Sequence, residues 1–277
     1  MKINKKNIGF VGGGLMAEAL IKGIIAAGLY PAARIKVVDP GPQRRELLSR
    51  EYGVATVAGA EEIWGECPVV ILAVKPQVVE PVLRDVASQI SARHLLISIA
   101  AGVGIARMAD ALAPTKARII RVMPNTPAMV LAGASALSRG QYADEADLAL
   151  AEKIFAAVGQ SVVVDEAALD AVTGLSGSGP AYVFTFFEAM IDAGVKVGLP
   201  RPTAELLARQ TILGSIKLAE ESGRSPAELR DMVTSPGGTT IAGLHALERG
   251  AFRSLVMDAV EAATRRSVEL GQAASGK

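Results

Sequence analysis

The chain of 277 residues carries a single cysteine, Cys67, and two histidines, His94 and His245. No internal disulfide can form, a usage that suits a reducing compartment, and a cytoplasmic setting is expected. Four ligands for a structural zinc ion cannot be assembled from these residue types, and no clustered acidic motif asks for another metal, so no metal is expected. Aromatic residues make up 4% of the chain, too few to supply base-stacking platforms. An excess of one charge is missing as well: the formal net charge is +1, so neither nucleic acid nor an anionic membrane surface is an expected partner. Long hydrophobic runs are also lacking. The longest, at 69–74 and 95–106, fall far short of the roughly 18–20 residues of a membrane-spanning helix. Lys2, Lys5 and Lys6 ahead of the apolar stretch from Ile8 mimic a secretory signal, but Glu18 and Lys22 interrupt that stretch and no suitable cleavage site follows. It is therefore read as part of the fold.

What is present is ample apolar material. Half the residues are hydrophobic and 21% are charged, which provides for a sizeable core in one large or two ordinary domains. Residues 1–165 alternate β-rich runs with helical patterns. Strands are predicted at 7–11, 34–38, 69–74, 95–100 and 118–122, and helices at 15–27 and 43–52. This alternation predicts an α/β, doubly wound, mostly parallel sheet with helices on its faces. Runs at 134–138 and 161–164 are expected to add edge strands. From residue 166 to 277 strand signals stop, and helices are predicted at 167–175, 181–197, 202–222, 226–233, 240–249 and 252–270. In the last of these Leu255, Val256, Ala259, Val260 and Ala263 share one face. Such helices are too apolar for a solvated appendage. They are expected to interleave with a second subunit, the alternative being one helical core within a monomer.

Gly12, Gly13, Gly14, Leu15, Met16 and Ala17 fit the pattern G-x-G-x-x-A. The motif has meaning because it follows a predicted strand and opens a predicted helix. Gly12 permits the tight turn, Gly14 lets a pyrophosphate approach the backbone, and Ala17 lets the helix lie close to the sheet. The helix start then offers N–H groups and a positive dipole end to the phosphates. Asp39, closing the second strand, stands where a carboxylate binds a ribose 2′-hydroxyl and favours NADH. Arg44 and Arg45 just beyond could instead meet the 2′-phosphate of NADPH, or simply form a solvated helix start. Ala73, Val74 and Lys75 end the third predicted strand. Pro76 biases Lys75 toward an extended backbone from which its ammonium could reach the crevice. Ala101, after the fourth, is small enough to admit a nicotinamide. Asn125, after the fifth, could wall the same crevice; for Lys75 and Asn125 a structural role is the alternative.

Thr234, Ser235, Pro236, Gly237, Gly238, Thr239 and Thr240 lie between two predicted helices. Paired glycines let a ligand touch the backbone, and consecutive N–H groups at a helix start suit a carboxylate. The threonine hydroxyls could cap the helix or bind the ligand; an ordinary Pro-Gly turn with a threonine cap is the alternative. Residues 174–180, GLSGSGP, do not fit the serine-hydrolase pattern G-x-S-x-G, because Ser178 stands where that motif needs glycine.

The runs at 172–182, 195–200 and 229–241, together with VMPNTP at 122–127, resemble the pyrroline-5-carboxylate reductase family, and the similarity extends from the first strand to near residue 270. The resemblance implies a Rossmann-like domain followed by an all-helical dimerisation domain, and often a ring of dimers. It implies NADPH- or NADH-dependent reduction of 1-pyrroline-5-carboxylate, a small cyclic imine, to L-proline, the last step of proline biosynthesis. By motif position it makes Thr240 the catalytic threonine that bonds the ring nitrogen. Ser235, Gly237, Gly238 and Thr239 become the loop that holds the carboxylate, and Glu166 an acidic residue near bound product. Gly12 to Met16, Asp39, Ala73 to Lys75 and Ala101 match cofactor contacts. Ala60 departs from the pattern, falling where many relatives carry an asparagine near the adenosine end. Two rivals remain: a small hydroxy-acid dehydrogenase, disfavoured because Ser176 to Pro180 replace the lysine such enzymes place there, and a catalytically silent nucleotide-sensing regulator, disfavoured by the intact glycine–threonine bend.

Overall fold

The computed structural model describes residues 6–274; Lys2 and Lys5 of the basic cluster lie outside the described residues. The chain divides into two compact units, one running to Ser178 and resuming at Glu261, the other Gly179–Val260. The strands end at Val163, close to the expected boundary at 165, whereas the units part at 178 and 260.

The first unit is built on an eight-stranded sheet. In chain order its strands are β1 (Ile8–Val11), β2 (Ile35–Val38), β3 (Ala55–Val57), β4 (Val69–Leu72), β5 (Leu95–Ser98), β6 (Arg118–Met123), β7 (Gly133–Arg139) and β8 (Gly159–Val163). Their spatial order is β3-β2-β1-β4-β5-β6-β7-β8. All pairs are parallel except β6 with β7.

Alternate residues along each central strand face opposite sides, and the core sorts accordingly. Ile8, Phe10, Val69, Ile71, Leu95 and Ile97 enter one apolar cluster with α1 (Leu15–Ala26), α2 (Pro42–Tyr52) and α6 (Glu145–Ala156). Val70, Leu72 and Leu96 enter a second with α3 (Glu61–Glu66), α4 (Pro76–Val86) and α5 (Ile105–Ala111). Burial on both faces is why these strands read as unbroken apolar runs. Each fully buried isoleucine or leucine contributes about 1.5–3 kcal/mol.

Four expectations are corrected. The run at 134–138 is not an edge strand: β7 lies between β6 and β8, and only β3 and β8 form edges. β3 was not anticipated, because three half-exposed residues carry no apolar periodicity. The strands expected at 69–74 and 95–100 end two residues early, so Ala73, Val74, Ile99 and Ala100 leave the sheet. The helix expected at 167–175 is a composite. A single 3₁₀ turn leads into α7 (Leu169–Val172), and a wide π turn over Thr173–Gly177 follows, closed by Ser178 N–H on the Thr173 carbonyl at 2.8 Å.

The second unit is helical: α8 (Gly179–Lys196), α9 (Arg201–Ser222), α10 (Pro226–Met232) and α11 (Thr239–Arg249), with the start of α12 (Phe252–Ala274). Helix starts follow local chemistry. Ser225 and Glu228 form a reciprocal capping box on α10, with Pro226 in its first turn. A side chain on Gly194 of α8 would sit 2.7 Å from the Ala204 methyl of α9, so small residues let these helices meet. Yet only Ala204 and Ala208 of this unit are buried, while Phe184, Ile216 and Leu255 are 65%, 66% and 61% exposed. Among the described residues this unit closes no apolar core of its own, which the alternative reading of one helical core in a monomer would need. Ordering each backbone residue costs about 1–2 kcal/mol, and two buried alanines cannot offset that.

His94 is buried in the first unit. Its Nδ1 accepts from Ser91 N–H at 3.0 Å and its Nε2 faces the Trp64 carbonyl at 2.8 Å, which selects the neutral tautomer protonated on Nε2. Burial chiefly, helped by the Arg93 and Arg118 charges, holds its pKa below the ordinary value although the Trp64 carbonyl opposes the shift. The folded state thus favours neutral His94. Its contribution is full above the unfolded-state value of about 6.5 and is lost as pH falls below it. The thermal midpoint should drop on acidification from pH ~6.5, and His94→Gln, followed by calorimetry across that range, should show a flatter dependence.

Candidate active site

The turn between β1 and α1 is wedged between the carboxyl ends of β2 and β4. Gly12 N–H donates to the Val38 carbonyl at 2.8 Å, and Ala73 N–H to the Val11 carbonyl at 2.8 Å. Gly12 has φ +97°, and a Cβ there would stand 2.6 Å from the Ala73 carbonyl oxygen, so both conformation and contact demand glycine. Gly13 N–H donates to Asp39 Oδ2 at 2.8 Å, and Gly41 N–H to Asp39 Oδ1 at 2.8 Å. Asp39 therefore braces the glycine turn against the segment after β2. Each of its oxygens keeps a lone-pair direction for a further donor.

Gly14 caps α1 without any side-chain hydrogen bond, and a Cβ built on it meets nothing within 4 Å. Ala17, one turn on, is fully buried. An open, uncapped helix start above a tightly seated turn is a cradle into which a pyrophosphate fits. Leu15 and Met16 open the helix beside it, with Leu15 exposed.

Arg44 and Arg45 both bond to the backbone around the glycine turn. The Arg44 guanidinium donates to the Gly13 carbonyl, to the Gly14 carbonyl at 3.1 Å and to Glu18 Oε2 at 2.5 Å. Arg45 Nη1 donates to the Asp39 and Pro40 carbonyls at 2.6 and 3.0 Å. Ala60 stands at the N-cap of α3, which no side chain caps.

Ala73 and Val74 leave β4 half-buried, and Lys75 follows as the N-cap of α4. With φ −62° and ψ 146° it has the extended backbone its proline neighbour imposes, and it is exposed. Beyond the same strand ends lies a cavity of about 690 Å³ lined by Gln77, Ala101, Gly102, Arg107, Thr173 and Arg266, among others. Ala101 lines this cavity. Arg107 and Arg266 were not foreseen. Arg266 and Ser267 arrive on the final turns of α12, where Ser267 Oγ donates to Asp170 Oδ1 at 2.6 Å. A side chain on Gly271 would stand 3.3 Å from the Gly102 carbonyl oxygen. Gly271 was the one sequence hint of that approach.

Asn125 is a structural clamp: its Nδ2 donates to the Ser176 carbonyl at 3.1 Å and its Oδ1 accepts from Ala134 N–H at 2.8 Å. Glu166 Oε1 accepts from Ile105 N–H at 2.7 Å and pairs with Arg121 at 3.0 Å, so one oxygen of this carboxylate is committed to the fold. Ser176 donates its hydroxyl to the Val172 carbonyl at 3.1 Å. Burial pushes the Cys67 thiol up to about 11, leaving it a weak nucleophile at neutral pH.

In the second unit, Thr234 Oγ1 closes α10 on the Arg230 carbonyl at 2.6 Å. Gly237 has φ +69°, and any side chain on Gly238 would collide with the Ser235 hydroxyl. Gly238 N–H bonds the Ser235 carbonyl at 3.1 Å, and α11 starts at Thr239 with no side-chain cap. No threonine hydroxyl therefore caps the start of α11. Ser235 and Thr239 are exposed and Thr240 is half-buried. A groove of about 660 Å³ borders the bend, lined by Arg230, Thr234, Gly237, Gly238, His245 and Arg253, among others.

The two glycines of the turn should respond differently to one added methyl group. Gly14→Ala meets open space and should leave the thermal midpoint nearly unchanged, within about 0.5 kcal/mol of stability, yet weaken NAD(P)H binding in calorimetry. Gly12→Ala should lose both, with about 1–3 kcal/mol of backbone strain. Equal destabilisation by the two would contradict the assignment.

Residues 166–270 match the family described as pyrroline-5-carboxylate reductase dimerisation, and residues 7–102 match NADP oxidoreductase coenzyme F420-dependent. A pyrroline-5-carboxylate reductase of Arabidopsis thaliana is 46% identical over 96% of this chain and 95% of its own length. A solved structure of a pyrroline-5-carboxylate reductase from Coxiella burnetii superposes with a TM-score of 0.91 at 39% identity, covering 96% of this chain and 99% of that one. The Plasmodium falciparum pyrroline carboxylate reductase, solved with NADP bound, gives 0.88 at 33% identity over 98% and 100% of the two chains. With an open nucleotide cradle in one unit and an uncapped glycine–threonine bend in the other, and with this likeness running the length of both, the chain belongs to the pyrroline-5-carboxylate reductase family.

Proposed function

We propose that this chain catalyses the last step of proline biosynthesis, the reduction of 1-pyrroline-5-carboxylate to L-proline with NADPH or NADH. The observation that carries the reading is the open start of α1 at Gly14, which accepts a dinucleotide phosphate, in a chain whose likeness to these reductases spans 96% of its length.

The cofactor supplies a hydride to the imine carbon. The chain's own groups have three tasks. The first is to seat the dinucleotide: Gly12, Gly13, Gly14, Leu15 and Met16 at the pyrophosphate, Asp39 at the ribose, and Ala73, Val74, Lys75 and Ala101 along the crevice toward the nicotinamide. The second is to hold the substrate carboxylate. The uncapped start of α11 offers N–H groups from Thr239 onward, with Ser235, Gly237 and Gly238 shaping the bend and Glu166 near the product. The third is to aim the ring nitrogen, which the Thr240 hydroxyl does by hydrogen bonding. No strong general acid is required, because an iminium arrives already protonated; positioning carries the remaining rate.

We assign residues 1–165 to the dinucleotide and 166–277 to dimerisation and substrate binding. The exposed apolar faces of α8, α9 and α12 support a homodimer, and rings of dimers follow the family habit. A cytoplasmic setting accords with the lone, buried thiol.

The decisive experiment is to follow NADH or NADPH absorbance on adding pyrroline-5-carboxylate and to identify proline as product. Consumption of cofactor without proline would reject the reading. Thr240→Ala should lower kcat by about 10²-fold, the scale of one lost transition-state contact, with little change in nucleotide affinity; unaltered kinetics would remove Thr240 from the mechanism. Leu255→Glu with Val256→Glu should yield monomers in sedimentation analysis, since two charges would then have to be buried.

A further inference from the structure

We propose that the chain selects NADH over NADPH, and that Glu18 enforces the choice by occupying the Arg44 guanidinium so that it cannot receive a 2′-phosphate. This rests on the reductase reading above and concerns the opposite end of the cofactor from the chemistry.

A phosphate on the ribose would bring nearly two negative charges and no hydrogen to donate. It would meet Asp39, whose carboxylate is fixed by the Gly13 and Gly41 N–H groups at 2.8 Å each and cannot turn away without releasing the glycine turn. A ribose hydroxyl can donate to the lone pairs that remain; a phosphate monoester dianion cannot. The countercharge would have to come from Arg44 or Arg45. Both are spoken for by the turn itself. Arg44 spans the Gly13 and Gly14 carbonyls and ends on Glu18 Oε2 at 2.5 Å. Arg45 is shared between the Asp39 and Pro40 carbonyls.

Glu18 is the member that holds this arrangement. Its second oxygen, Oε1, accepts from the Tyr52 hydroxyl at 2.8 Å, so the carboxylate is anchored from α2 as well as from α1. Arg44 and Glu18 are each about three-quarters covered, at 23% and 24% side-chain exposure, which makes the pair stiffer than a surface ion pair. Burial works against the Glu18 charge, but the Tyr52 hydroxyl, the Arg44 guanidinium and the nearby Lys22 outweigh it, and its pKa is lowered. The carboxylate is therefore ionised throughout the neutral range.

The test compares kcat/KM with NADH and NADPH, and calorimetric affinities for the two nucleotides, in the full-length protein and three variants. The unaltered chain should favour NADH by at least about tenfold. Glu18→Gln keeps the shape and the Tyr52 contact but drops the charge. It should shrink that ratio by about fivefold or more, through a lower KM for NADPH. Tyr52→Phe should move the ratio the same way by less. Arg44→Ala should not raise the preference for NADH beyond the starting value. An unaltered chain that favours NADPH, a Glu18→Gln ratio that does not move, or an Arg44→Ala variant that selectively loses NADPH would each overturn the proposal. The last would make Arg44 the 2′-phosphate ligand. A purely structural Glu18 would weaken both nucleotides alike. Because calorimetry reads the ratio without turnover, absence of imine reduction would reject the activity alone and leave this test standing.

Discussion

The contact between the Gly12 backbone and the Ala73 carbonyl governs the nucleotide-binding unit. It sets the end of β1 against the end of β4, at the point in the sheet order where the chain changes direction, with β2 and β3 on one side of β1 and β4 to β8 on the other. Connections diverge there and leave a crevice beyond the strand ends. With the turn so close, α1 starts directly over the crevice, and its buried Ala17 lets it stay near the sheet. Ala73 and Val74, freed from β4, lie against Gly12, and Ala101, beyond β5, lines the neighbouring cavity. Any residue larger than glycine at position 12 would lift the turn and, with it, the open start of α1.

Around that contact, charge serves geometry before it serves ligands. Asp39 and Glu166 both have part of their hydrogen-bonding capacity consumed by backbone N–H groups, yet a carboxylate offers about four lone-pair positions. Spending some on the fold fixes the direction of the rest, which is how a site is pre-oriented without a rigid ring or metal. Arg44 shows the same economy from the cationic side, bonding the Gly13 and Gly14 carbonyls.

The two units differ most in where their apolar surface goes. The sheet unit closes two separate apolar clusters on its two faces and needs nothing else to be stable. The helical unit keeps most of its large apolar side chains exposed in the single chain. The capping box of α10 is satisfied within the chain, so local chemistry starts that helix and leaves its packing to surface supplied from elsewhere. Only α12 belongs to both, its last turns resting on the turn at Gly102 in the first unit.

Local rules were enough for much of this. The strand–glycine–helix order around Gly12 to Ala17, the Pro-dictated extension of Lys75, the helix start at Pro226, the helix start expected at Thr240 and found one residue earlier, and the apolar face through Leu255 follow from steric limits and short periodicities that a sequence displays directly. That Ala101 lies beyond the carboxyl end of β5 follows too. What the sequence could not display were contacts between residues distant along the chain. That Asp39 holds Gly13, that Glu18 and Tyr52 restrain Arg44, that Glu166 braces Arg121, and that Gly271 returns to Gly102 are consequences of packing. The inner place of β7 is another: Ser135, Ala136 and Ser138 are buried there although the strand has no apolar pattern of its own. Side-chain type limits what a residue can bond; only the folded chain decides which partner comes within 3 Å of it.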